Sequence, residues 1–486
     1  MLIYSENASG SEPFNTQDLL RRLKMRTRED YLTSLKDGRE VYYRGQLVPS
    51  IVDHPTLRIA ALHASKLYTL PGRDYFDQEL SQNVSKYFKL PLNSQDLLER
   101  HRLIYDTTVA CNGIFNISQA IGSDALFALI QISKKTGTND YPDRVSKYFD
   151  FIRKQDLTLA VAQTDVKGDR KKRPFEQDDK DLYVHVVDSN DDGIVVSGAK
   201  AHTTQSAVAD EIIVVPTRAM TEKDKDYALS FAVPANTQGL KFIVRPIEEI
   251  EGNTMSVLSP KDYECETLTI FDKVKVPWDR VFLFKEYEFA GQLAVNFVKY
   301  HRFTALSYRC ATSNIYLGTA SLVGKANGVS EAPHIRNDIV SMIVYKELMR
   351  MSAFAAASAP VIEEGLALPN PLYTNIGKLY SNQNFTRVLD NLVDIAGGIV
   401  ATLPSKEDLE NPKEREYIEK YLRGAISGKE RIKVLKIAKE LITSSLSGYM
   451  MTLMIHAEGS LEASKLAILR EYDLSEPEKL VQKILE

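Results

Sequence analysis

Cysteine is scarce in this 486-residue chain: only Cys111, Cys265 and Cys310 occur. An odd number of widely spaced thiols argues against a disulfide framework, and no CxxC pair is present to seed a metal site. Buried, inert thiols are the expectation. Long apolar runs are missing too. The greasiest stretches, 353–362 and 392–400, are short or interrupted, whereas a bilayer-spanning helix needs roughly 20 apolar residues. The first residues show no basic patch followed by an apolar core, so no secretory leader is expected and the cytoplasm is the predicted compartment. Positive charge is not in excess either. The formal net charge is -4, and the basic run 167–173 is partly offset by acidic residues at 178–181, which leaves no electrostatic footprint for nucleic acid. There is no internal repeat and no low-complexity segment.

With 44% hydrophobic and 26% charged residues, the chain reads as globular and is long enough for two or three domains. Residues 16–35 carry apolar side chains at helical spacing with Thr16 as N-cap, and lead into the alternating stretch 40–46. Further helical patterns lie at 54–69, 79–88, 95–109 and 118–135, punctuated by Pro49, Pro55, Pro71 and Pro91. From about Leu157 to Leu283 the runs LYVHVVD, GIVVSGAK, EIIVVPT, ALSFAVP, LKFIVRP and ETLTIFDKVKVP predict antiparallel strands in a barrel or sandwich. Long helical periodicity returns at 289–323, 335–365, 373–394 and 429–456. The expected fold is α+β, mostly α: a helical N-terminal domain over 1–147, a β domain over 148–285 and a helix bundle over 286–486.

Two segments concentrate chemistry. In AQTDVKGDRKKRP, 162–174, a strand opens into a loop carrying Gln163, Thr164, Asp165, Gly168, Asp169 and Arg170. A polar cofactor edge or a pyrophosphate requires such groups, and a solvated charged loop is the alternative reading. In 193–217 two apolar strands flank Lys200, His202, Thr203, Thr204 and Ser206. These are either turn formers or ligands to something inserted between the strands.

Both segments resemble the flavoprotein family that unites 4-hydroxybutyryl-CoA dehydratase with 4-hydroxyphenylacetate 3-monooxygenase, and QTDVKGDR followed by GIVVSGAKAHTT is closest to the dehydratase branch. The likeness extends over essentially the whole chain. It includes REDYLTSLKDGREVYYRGQLV with His54-Pro55 after it, FDKVKVPWDRVF at 271–282, Tyr300-His301-Arg302, and AGGIVATLPS at 396–405. The resemblance implies an acyl-CoA dehydrogenase-like fold binding FAD. Gln163, Thr164, Asp165, Gly168, Asp169 and Arg170, with His202, Thr203 and Thr204, are its implied contacts. Gly397 and Gly398 are implied to reach the flavin of a neighbouring subunit, hence a homo-oligomer, in expectation a tetramer; on pattern alone they end a helix. A small-molecule substrate, a CoA thioester, is likewise implied.

The catalytic pattern of the dehydratase branch breaks, however. Its 4Fe-4S cluster is held by three cysteines and a histidine; the matching positions here are Asn116, Ala120 and Tyr308, with His301 retained. Cys111 and Cys310 fall out of helical phase with those places. No iron-sulfur cluster and no other metal is therefore expected. Glu266, 35 residues before His301, matches a family glutamate, and Glu266 and His301 are the candidate acid–base pair. The family's tyrosine and lysine beyond the histidine are replaced by Ala305 and Arg309, and Leu453 stands where a second glutamate is found, with Glu458 nearby. The alternatives are a reduced-flavin-dependent aromatic monooxygenase served by a flavin reductase, weakened by Ile121 and Ala125 at that branch's arginine and tyrosine positions, and a non-catalytic accessory paralogue.

Overall fold

The computed structural model describes residues 25–138, 140–251 and 255–486. Two sheets occupy its centre. Strands β1 (Glu40–Tyr43), β2 (Gln46–Leu47), β6 (His185–Asn190), β7 (Gly193–Lys200), β10 (Leu240–Val244) and β11 (Thr267–Pro277) form a six-stranded sheet in the order β2-β1-β10-β11-β7-β6. Strands β5 (Leu159–Ala162), β8 (Glu211–Val214), β9 (Leu229–Pro234) and β12 (Val281–Phe284) form a four-stranded sheet in the order β12-β9-β8-β5. Hairpins β3–β4 (Asp74–Asp77, Gln82–Ser85) and β13–β14 (Val361–Glu363, Leu366–Leu368) stand apart. Pairing is antiparallel except for β1 with β10 and β5 with β8. Every strand run expected between 157 and 283 is realised. The segment before 148 is less purely helical than expected, because β1 and β2 join the larger sheet and 79–88, expected as a helix, is the second arm of a hairpin followed by a 3-10 turn.

The principal helices are α1 (Arg28–Ser34), α2 (Arg58–Ser65), α3 (Ser94–Ala110), α4 (Ala120–Lys135), α5 (Asp140–Gln155), α6 (Tyr287–Asn327), α7 (Pro333–Ser358), α8 (Pro371–Ala396), α9 (Gly428–Thr443), α10 (Ser445–His456), α11 (Leu461–Glu471) and α12 (Ser475–Leu485). Thr27, not Thr16, caps the first described helix, through a capping box with Asp30; Thr16 lies outside the described residues. Helix α5 has no counterpart among the expected helices and spans the 147/148 position. The run 429–456 divides at Ser444, whose hydroxyl caps α10. Helix α6 is the axis of the bundle and packs on α3, α4, α7, α8 and α9. No described helix is long and apolar enough to cross a membrane.

One close approach fixes how the N-terminal helices meet the sheets. A Cβ added to Gly122 would lie 2.2 Å from Leu159 Cβ, so α4 rests directly on β5, and all four β5 side chains are buried. That contact sets the height of the strand end from which 163–170 departs. Gly122→Ala should cost about 1–3 kcal/mol of stability, as overpacking does; a denaturation midpoint unchanged from the parent would show that the helix rides free of the strand.

Candidate functional site

The extended segment leading into β11 carries Glu264 and Glu266, two residues apart and so on one side of the chain. Their exposures are 4% and 7%. Three anchors hold the segment. Glu440 on α9 accepts the backbone N–H groups of Val257, Leu258 and Ser259 at 2.7, 2.8 and 2.8 Å. Asp262 accepts from Lys66, Asn112 and His63 at 2.6, 2.6 and 2.9 Å. The carbonyls of Cys265 and Glu266 accept from the N–H groups of Gln205 and Arg245.

Glu266 Oε1 accepts from Thr204 Oγ1 at 2.9 Å and from the Tyr449 hydroxyl at 2.7 Å; Oε2 is buried with no hydrogen-bond partner among the described residues. Glu264 Oε1 accepts from the Ile117 N–H at 3.3 Å. Burial raises the pKa of both, and the Glu266 charge pushes Glu264 further, well above the carboxylate range. For Glu266, burial is opposed by the hydrogen bonds of Tyr449 and Thr204 and by the charges of His202 and Arg245. Arg245 lies 4.8 Å over the Tyr449 ring and 5.5 Å over that of Tyr263. Its Nε and Nη2, which form one edge of the guanidinium, and the Tyr263 hydroxyl are buried without partners among the described residues. A small cavity of about 10 Å³ adjoins these groups, lined by Phe115, Tyr263, Glu264, Tyr308, Tyr449 and Leu453 among others.

Tyr308 connects this cavity to a second charged cluster. Its ring stacks on Phe115 with centroids 4.3 Å apart, and its hydroxyl donates to Glu458 Oε1 at 2.7 Å. Arg309 Nη2 donates to Glu458 Oε2 at 2.6 Å, and Arg302 Nε to the Glu458 carbonyl at 3.0 Å. Burial acts to raise Glu458, but Arg309, His301 and Lys378 together hold it below the usual carboxylate range. Lys378, whose Nζ donates to the Gly459 carbonyl at 2.9 Å, is lowered to about 7 by burial, with Arg309 and Arg302 adding to the effect and Glu458 opposing it. Nearby, His301 Nδ1 lies 3.5 Å from Asp124 Oδ2, its ring stacked on Phe297. Asp124 Oδ1 accepts from Arg100 at 2.6 Å and from Thr304 at 3.1 Å.

The strand-end loops reach Glu266 through Thr204. Lys200 Nζ donates to Asp165 Oδ1 at 2.6 Å and to the Gln163 carbonyl at 2.8 Å, which ties the end of β5 to the end of β7. Thr203 is fully buried, bonded to Thr267 and Thr269, and so positions its neighbours. Among the described residues the side chains of Gln163, Thr164 and His202 have no hydrogen-bond partner, which leaves a row of polar groups at adjacent strand ends. Gly168 has φ +52, and a Cβ there would lie 2.7 Å from Gln177 Oε1 and the Tyr183 hydroxyl; the tight turn presents Asp169 and Arg170 outward, both exposed. Gly397 ends α8 at φ +70; the 3-10 turn that Gly398 begins packs on α9, and no hydrogen bond joins it to either loop. Glu266 and His301 share no hydrogen bond or ion pair; the structure places them in separate clusters.

Family profiles described as 4-hydroxyphenylacetate 3-hydroxylase N terminal and C terminal match residues 27–283 and 290–486. The chain belongs to the 4-hydroxyphenylacetate 3-hydroxylase family. It is 31% identical to a 4-hydroxybutyryl-CoA dehydratase/vinylacetyl-CoA-Delta-isomerase of Clostridium aminobutyricum, over 94% of this chain and 99% of that one. It is 28% identical to a 4-hydroxyphenylacetate 3-monooxygenase oxygenase component of Thermus thermophilus, over 87% and 89%. Among solved structures, an archaeal 4-hydroxybutyryl-CoA dehydratase from N. maritimus superposes with a TM-score of 0.89 at 28% identity, covering 95% of each chain. The oxygenase component of a 4-hydroxyphenylacetate 3-monooxygenase, complexed with FAD and 4-hydroxyphenylacetate, superposes with a TM-score of 0.88 at 25% identity, covering 95% and 98%. The mixed α+β architecture of this hydroxylase family is thus the fold expected from the sequence.

The sequence resemblance sets Asn116, Ala120 and Tyr308 at the positions expected to match cluster cysteines of the dehydratase branch. The Asn116 amide donates to the His63 carbonyl at 3.0 Å, the Ala120 carbonyl accepts from Arg100, and the Tyr308 hydroxyl is committed to Glu458. These residues do not fit an iron-sulfur cluster. One trio with ligand chemistry, His63, Cys111 and Asp262, lies within 4.8 Å; Asp262 accepts from Lys66 and Asn112 and His63 bonds the Phe115 carbonyl, so these residues tie the 111–115 turn to α2. Sequence reasoning missed Glu264, Arg245, Tyr449 and Lys378. Only Glu264 left a local signal, the alternation Glu-Cys-Glu at a strand start.

Lys378 generates a pH dependence. In the unfolded chain it stays charged up to about 10.5, in the folded chain only up to about 7. The unfolded state therefore binds the extra proton in that window, and stability rises with pH through it. Denaturation midpoints should show this rise, and Lys378→Met should flatten it; an identical slope in the variant would mean that Lys378 keeps its charge when buried.

Proposed function

We propose that this chain is a FAD-binding enzyme of the dehydratase-like branch that acts on an acyl-CoA thioester, moving a proton to and from the carbon beside the thioester carbonyl without an iron-sulfur cluster. The observation that carries this reading is Glu266: a buried carboxyl in a tyrosine-walled setting, with Oε1 fixed by Thr204 and Tyr449 and Oε2 uncommitted. A carboxyl so held has the orientation and the raised proton affinity that a general base at neutral pH needs. Arg245, with two uncommitted donors on one edge, suits the oxygen on which negative charge develops when that proton leaves.

The free polar groups of Gln163, Thr164 and His202, with Asp165, Thr203 and Thr204 fixing the strand ends and Gly168, Asp169 and Arg170 forming the outward turn, would hold FAD. Gly397 and Gly398 would come from a second copy of the chain in a homotetramer, since within one chain they bond to neither loop. FAD supplies two-electron redox chemistry there when bound. His301, with Asp124 behind it, does not line the cavity; it belongs to the charged cluster on the Glu458 side of Tyr308 and would serve as the second acid–base group from there. The cavity of about 10 Å³ holds little more than one water, so an acyl chain enters only if α10, which contributes Tyr449, Met450 and Leu453 to the wall, moves outward.

The test combines flavin and iron content per chain, read with the visible spectrum of anaerobically purified protein, and exchange of the α-hydrogens of butyryl-CoA with deuterated solvent. Stoichiometric flavin without iron and catalysed exchange are expected, with Glu266→Gln slowing exchange by about 10²–10⁴-fold. Stoichiometric iron would restore the cluster. Hydroxylation of a phenol on addition of a flavin reductase, without exchange, would move the chain to the monooxygenase branch. A folded protein that takes up no flavin would favour the accessory role.

A further inference from the structure

We propose that the turn between α10 and α11 is an anion-binding site that takes a phosphate group, free or as a phosphate ester, between Arg302 and the first turn of α11, with Lys378 behind it. The site lies outside the flavin loops and the Glu266 cavity, and it holds whatever reaction they carry out.

The starting point is a charge mismatch. Arg302 on α6 is 7% exposed and Lys378 on α8 is fully buried, and neither belongs to an ion pair among the described residues. The carboxylate beside them, Glu458, has both oxygens committed, Oε1 to the Tyr308 hydroxyl and Oε2 to Arg309. Arg302 and Lys378 are left with neutral acceptors: the Glu458 carbonyl and the Asn375 side chain for the first, the Gly459 carbonyl for the second. Burying a cation without a counter-charge is costly. Burial accordingly lowers Arg302 to about 10, with only the Glu458 charge acting against it.

The placement of these groups sharpens the mismatch. Both meet the chain at Gly459, immediately before Ser460, the cap of the 11-residue helix α11. A helix N-terminus is the positive end of the dipole and favours anions, whereas cations suit the other end. The cap hydroxyl takes the Ala463 N–H at 3.2 Å, and among the described residues the N–H groups of Leu461 and Glu462 have no partner, as the first turn of a helix leaves them. The acid of that turn, Glu462, is exposed and paired with Lys465 at 2.7 Å. Two basic groups thus face the positive end of a helix with no free carboxylate between them.

One donor is aimed at the gap. Arg302 Nη2 makes no hydrogen bond among the described residues, and it lies 2.9 Å from where a Cβ on Gly459 would stand. Glu458 at φ +57 and Gly459 at φ +94 are both left-handed, and Gly459, exposed and without a side chain, leaves that corner of the guanidinium open. A planar carboxylate pairs best with two N–H groups side by side on a guanidinium edge, and Arg302 has one free corner. The tetrahedral oxygens of a phosphate can take that corner and the helix N–H groups together. Lys378 adds its charge from behind the Gly459 carbonyl.

The test is calorimetric titration of the full chain with inorganic phosphate and, separately, with adenosine monophosphate, both against sodium chloride at matched ionic strength so that screening is held constant. Saturable binding and a denaturation midpoint that rises with phosphate are expected. Arg302→Met should weaken binding by about 10–100-fold, as loss of a charge-assisted donor does. Ser460→Asp keeps a capping oxygen on an exposed residue and sets a carboxylate at the helix start; it should weaken phosphate binding by at least about 10-fold and raise the midpoint in phosphate-free buffer. This second variant decides the matter should R302M fail to fold. Binding of inorganic phosphate that both variants weaken identifies the free ion as sufficient, and binding of the nucleotide alone, weakened in the same way, identifies a phosphate ester. No binding of either probe, or binding that S460D leaves at parental strength, would overturn the proposal.

Discussion

Two carboxyl groups on alternate residues of one extended segment, both cut off from water, form the constraint on which the rest of the site depends. Burying even one such group is expensive unless it is neutral or well bonded, and burying two so close makes simultaneous ionisation more costly still. The fold meets this constraint asymmetrically. It gives Glu266 the hydroxyls of Thr204 and Tyr449 and a guanidinium above Tyr449, and it leaves Glu264 to aromatic rings and one backbone N–H. The framework that enforces the asymmetry is itself polar: Glu440 pins 257–259 to α9, and Asp262 pins the next turn to Lys66 and Asn112. Neither acid can swing away to solvent without breaking those anchors.

The strands were legible because β-branched runs between turn residues leave little choice of structure, and the longest helices were legible because their apolar stripes repeat over many turns. Where the reading failed, a local pattern had two solutions. Leu80, Val84 and Phe88 recur every fourth residue, as on a helix face, but Ser81 takes φ +51 and Val84 pairs with Tyr75, so the same spacing folds as a hairpin arm. At 429–456 the apolar period carries through a break at Ser444 that its capping hydroxyl alone betrays. The loops 163–170 and 202–204 were visible as dense polar runs at strand ends, and the structure ties them together through Lys200 and Asp165. Arg309 and Glu458, 149 residues apart, form a contact that no window of sequence could contain.

The pairing of Arg309 with Glu458 bears on Tyr308, which the sequence resemblance sets at a cluster-cysteine position of the dehydratase branch. Glu458 and Glu264 are the same side chain in similarly deep burial, yet Arg309, His301 and Lys378 hold the pKa of the first below the usual carboxylate range, while burial among rings and the Glu266 charge push that of the second well above it. Tyr308 separates the two worlds, its ring against Phe115 at the cavity and its hydroxyl on Glu458. A cysteine at 308 would therefore do more than add a thiolate. It would remove the stacked ring from the cavity wall and take a hydrogen bond from a buried carboxylate, at a cost of about 1–3 kcal/mol for the unsatisfied group, and it would bring a second negative charge beside Glu458. The Asn116 amide is likewise spent on the backbone of α2. Positions 116 and 308 are thus each committed to other contacts, so that a cysteine at either would break a buried hydrogen bond of the present arrangement.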